Sequence, residues 1–88
     1  MKPRQQLELM DKIIRELDDL RNSQTSVLKK IAQIEADNIN LGSDLLNDGL
    51  PAIHEEVDDA VSKISSLIEP FTEQRNEYEK NNPVAEEE

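Results

Sequence analysis

The chain has 88 residues, 20 acidic against 10 basic side chains, a net charge of −10, and only Phe71 and Tyr78 as aromatics. That length sets a ceiling of one domain. With no Cys, it has no disulfide scaffold and no thiolate metal site, and no apolar run approaches the roughly 18 residues that a membrane span needs.

The N-terminus shows no apolar leader core, so a secretory signal is not expected, and the absence of Cys fits a cytoplasmic setting. Residues 1–30 carry seven basic and five acidic side chains, a net +2, which leaves −12 for residues 31–88. Nucleic-acid binding needs a concentrated positive field, and anionic lipid recruits basic clusters. Neither direct nucleic-acid binding nor membrane insertion is expected of this chain.

The first predicted element is a long helix over about residues 5–47. Met10, Ile13, Leu17, Leu20, Gln24, Val27, Ile31, Ile34, Asn38, Leu41 and Leu45 follow one another at alternating steps of three and four. This is a heptad seam with Met10 at position a. Gln24 and Asn38 fall at a positions, where a buried amide costs stability but fixes register and oligomer state. The polar run Arg21–Ser26 thins the seam and marks either a weak point, a break or a partner-facing patch. Gly42-Ser43 offers two outcomes. Either Ser43 caps a new short helix, or the helix runs through at a cost of about 1 kcal/mol for Gly.

A turn is predicted at about 48–51, in Asp48-Gly49-Leu50-Pro51, because Gly suits a helix end and Pro the first turn of the next helix. A second seam then runs through Leu50, Ile53, Val57, Ala60, Ile64, Leu67, Phe71, Gln74 and Tyr78. The second helix is predicted over about 51–69, with a kink or restart at Pro70 and an end near 80. Residues 81–88 show no periodicity and are expected to form a disordered acidic tail. The fold class is therefore all-α, an antiparallel helical hairpin over residues 1–80.

The apolar stripe is wider than a two-stranded coiled coil requires. Ile14, Leu28, Val61 and Ile68 add an e row to the a and d rows. Such a stripe suits a helix with more than one neighbour, so the hairpin is expected to join a four-helix bundle or coiled coil, as a dimer or with a partner protein. With the turn near 48, Lys29 or Lys30 is expected to approach Glu69, and Arg21 to approach Glu77.

No catalytic, cofactor or metal site emerges. His54 is the single histidine, so HExxH and Glu-x-x-His repeats are absent, and two glycines seven residues apart cannot build a phosphate loop. The expectation is a non-catalytic interaction module, without cofactor, acting on a protein through its apolar seam. The alternative is an acidic inhibitor or nucleic-acid mimic. Its carboxylates Glu55, Glu56, Asp58, Asp59, Glu69, Glu73, Glu77 and Glu79 would occupy a basic groove.

Overall fold

A computed structural model describes residues 1–83 of the chain. It is all-helical, with two helices of nearly equal length, α1 (Pro3–Leu41) and α2 (Asp44–Asn81), folded back on each other as a hairpin. The molecule is a rod measuring 65 × 16 × 16 Å. Neither helix is long and apolar enough to cross a membrane.

The N-terminus of α1 starts on Pro3, whose fixed φ suits the first helical position. The Gln5 side chain accepts the Lys2 backbone N–H at 3.1 Å. The polar run at 21–26 remains helical. Thr25 donates its hydroxyl to the Arg21 carbonyl at 2.9 Å, and Ser26 donates to Asn22 at 3.1 Å. These hydroxyls bond back onto the helix rather than competing with it.

The turn sits at Gly42-Ser43, not at 48–51. Gly42 takes the left-handed conformation (φ 72°, ψ 32°), and its N–H closes on the Asn38 carbonyl at 2.7 Å. Ser43 then caps α2, accepting the Leu46 N–H at 3.3 Å. Between the two caps lies Asn38, buried to 4% exposure on α1. Its side-chain oxygen accepts the Ser43 N–H at 2.9 Å, and its amide nitrogen donates to the Ser43 carbonyl and to Asn47 Oδ1. Residues 48–51 are ordinary α2 helix, so Leu45 belongs to α2 rather than to the seam of α1.

The physical reason is arm length. A turn at 48–51 would set a helix of about 43 residues against one of about 30, leaving the first turns of α1 without a partner. A turn at 42–43 gives 39 against 38 residues and covers Leu7 and Met10, two of the three buried apolar side chains. The third is Ile31.

α2 also runs through Pro70 without the predicted restart, and through Pro51. Each proline removes the hydrogen bond to the carbonyl four residues earlier, at Ser66 and Asn47. All four residues are exposed, so water can take the place of the missing donor. α2 is capped by Asn82, whose side chain donates to the Tyr78 carbonyl at 3.0 Å. The predicted tail begins within this cap, and its residues 84–88 lie outside the described residues.

The two glycines test this turn directly. A Cβ at either meets nothing within 4 Å, so only backbone conformation decides the outcome. Gly42→Ala is expected to destabilise by about 1 kcal/mol, because Gly42 has positive φ, whereas Gly49→Ala in mid-helix is expected to stabilise by roughly 0.5–1 kcal/mol. Chemical denaturation of both variants reads the two signs, and a turn at 48–51 would reverse them. Asn38→Ala strips the turn of three hydrogen bonds and is expected to cost about 1–3 kcal/mol in the same assay.

Candidate interaction surface

The hairpin interior uses two of the three apolar rows. On α1 the inward series is Leu7, Met10, Ile14, Leu17, Arg21, Gln24, Leu28, Ile31, Glu35 and Asn38, all buried or half-buried. On α2 it is His54, Val57, Val61, Ile64, Ile68, Phe71, Arg75 and Tyr78, all half-buried. Both series alternate a and e positions. The e residues Ile14, Leu28, Val61 and Ile68 therefore sit within the hairpin contact, beside the a residues.

Two cross-helix polar contacts mark the register. His54 Nδ1 lies 2.6 Å from Glu35 Oε1, joining two e positions. Near the open end, Arg75 Nε donates to Asp11 Oδ1 at 2.8 Å, and its Nη1 donates to Glu79 at 2.9 Å. The hydrogen bond to Asp11, and then that to Glu79 with both negative charges, raise Arg75 above its ordinary pKa against partial desolvation. The expected approaches of Lys29 or Lys30 to Glu69 and of Arg21 to Glu77 assume the turn at 48. Moving the turn to 42–43 shifts the arms relative to one another, and Arg21 instead pairs with Asp18 on its own helix.

The d row lies outside this contact. Leu20, Val27, Ile34, Leu41, Ile53 and Leu67, all d positions, make up six of the ten large hydrophobic side chains that are exposed. Ile13, Leu46 and Ala60 are the row's other apolar members, all half-buried. Helix geometry places these residues on one side of the molecule. On a helix, d flanks the a/e stripe on one side and b flanks it on the other. Reversing the second helix brings like rows together, d with d and b with b. The b side fits this arrangement at the open end, where Arg75 bridges Asp11 and Glu79, both b. Near the turn a cavity of about 450 Å³ has the b residues Ala32, Ile39 and Pro51 in its walls, together with residues of other rows such as Leu46 and Leu50.

The rest of the α2 surface is acidic, with Glu56 and Glu77 in the g row beside the d row and the other carboxylates on the outer side and the opposite flank. Glu55, Glu56, Asp58, Asp59, Glu69, Glu73, Glu77 and Glu79 are all exposed, with Glu79 engaged by Arg75. Among the described residues, no group of three or more His, Cys, Asp or Glu is placed to hold a metal ion. The predicted seam residues thus divide in two. Met10, Leu17, Gln24, Ile31, Asn38, Val57, Ile64 and Phe71 turn toward the partner helix, while Leu20, Val27, Ile34, Leu41, Ile53 and Leu67 are open; of the remaining two, Ile13 is half-buried and Leu45, in the first turn of α2, is exposed. What the sequence reading missed was the Arg75–Asp11 clasp. The signal for it was an arginine continuing the e row beyond Val61 and Ile68.

The sequence matches no family model, and no curated protein or solved structure is significantly similar to it.

The clasp between Asp11 and Arg75 is partly exposed, with side chains at 40% and 21%. A double-mutant cycle with Asp11→Ala and Arg75→Ala is expected to give a coupling of about 0.2–1 kcal/mol by thermal unfolding, falling with added salt.

Proposed function

We propose that this chain is a non-catalytic protein–protein interaction module, in the class of small assembly subunits, adaptors and chaperones, whose d row receives further helices. The observation that carries this reading is an inverted balance. Three apolar side chains are buried in the hairpin, while six large ones stand open in a single row along one side. Fully covering a Leu, Ile or Val gains about 1.5–3 kcal/mol. A ladder of such side chains at heptad spacing is the surface that an amphipathic helix reads in a helix-in-groove contact. The hairpin then supplies two helices of a four-helix bundle. Its function needs no cofactor, and its negative field gives nucleic acid nothing to bind.

The row of exposed carboxylates on α2 supports a second reading, an acidic inhibitor that fills a basic groove. Salt separates the two. Contact through the d row is expected to depend weakly on ionic strength and to show a negative heat-capacity change, whereas carboxylate mimicry weakens steeply with salt.

The test uses calorimetry with an excess of a synthetic amphipathic helix bearing a Leu stripe and balanced Glu/Lys flanks, which competes for the d row with whatever covers it. Binding is expected to be lost in the Leu20→Glu/Leu67→Glu variant and kept when Glu55, Asp58 and Asp59, which lie off the d and g rows, are changed to Lys. The reverse pattern would replace this reading with the acidic one.

A further inference from the structure

We infer that the occupant of the d row is a second copy of this chain, so that two hairpins close face to face into a four-helix bundle. This rests on the interaction reading above and names its partner. Three observations carry it. The first is charge. The face is built from the d rows with the neighbouring g rows, and its charged residues are Glu16, Lys30, Asp37, Glu56, Lys63 and Glu77, a net −2. The opposite face, from the b and f rows, holds nine carboxylates against Arg4, Arg15 and Lys29, a net −6. A basic partner would be drawn to the −6 side. The nearly neutral side is the one on which two chains of −10 can meet without strong repulsion.

The second observation is size. A face 65 Å long and 16 Å wide offers roughly 1,000 Å², against the about 800 Å² per partner of a standard interface. The third is shape. Arms of 39 and 38 residues make the face equal in its two halves. A two-fold interface must match a surface to itself, and such a face can be covered along its whole length by its own copy. Leu20, Val27 and Ile34 from α1 then share a core with Ile53 and Leu67 from α2. The polar Gln74, in the same row, marks where that core ends toward the open end of the rod.

Light scattering behind size exclusion tests this on the full chain at tens of micromolar, with circular dichroism on the same samples. The wild type is expected at twice the 10.0 kDa chain mass. Leu20→Glu/Leu67→Glu is expected to halve the mass while leaving the chain helical, because both residues lie outside the hairpin contact. Asp58→Lys, on the opposite face, is expected to leave it unchanged. A wild-type single-chain mass overturns the second copy and does not depend on any variant folding. So does a double mass that the Leu20/Leu67 variant leaves intact, since the dimer then uses another surface. The synthetic helix separates the two failures. A single-chain species that binds it through Leu20 and Leu67 overturns the second copy alone, whereas one that does not bind it sinks the interaction reading as well.

Discussion

The amide of Asn38 is the constraint on which the rest of the hairpin depends. A buried amide is costly unless its hydrogen bonds are made. Here both ends are used, on the backbone N–H and carbonyl of Ser43 and on the side chain of Asn47. Those partners exist in one place only, immediately past the left-handed Gly42. The bond set therefore fixes which residue of α2 faces which residue of α1. His54 opposite Glu35 and Arg75 opposite Asp11 follow from that choice along the rod. A polar residue at an a position in a coiled coil selects register in the same way. Here it does so within one chain, at the bend.

Once the register is set, each helix has three apolar rows and one neighbour. The row used inside with the a positions is e, which also contains Arg21, Glu35, His54 and Arg75. The charges of Arg21 and Arg75 are answered within the chain by Asp18 and Asp11, and the Glu35 carboxylate lies against the His54 ring. The d row has no such residues between Ile13 and Leu67 and is left outside. A row holding charges needs specific partners in reach, which a hairpin with fixed register supplies. A row of Leu, Ile, Val and Ala asks only to be covered.

Much of this was legible in the sequence. The 3.5-residue period gave two helices and an antiparallel hairpin, because the apolar spacing is regular over most of the chain. Asn38 stood out as an amide within an apolar row, and Gly42-Ser43 as a possible cap. The position of the turn was misjudged because Gly49 and Pro51 are strong local signals, while the cost of a helical proline depends on whether the freed carbonyl reaches water. That is a property of the folded rod, in which Asn47 and Ser66 are exposed. A sequence with a, d and e rows also does not say which pair of rows closes the hairpin. The choice depends on where the e-row charges find partners, hence on a register set by the turn. The clasp at Arg75 was missed for the same reason.

The partners of the turn are close along the chain, five and nine residues apart, while later pairs are separated by 19 and then 64 residues. Closing a short loop costs little entropy, and each further pair adds only a small increment once the one before it has formed. The hairpin's contacts are thus ordered as in a zipper, with the shortest loops at Asn38 and the longest at Arg75. Its opening should run the other way, with amide protons exchanging soonest at the two chain ends and most slowly beside the bend. The separation of its contacts makes the terminal turns the costliest to close and the first expected to open.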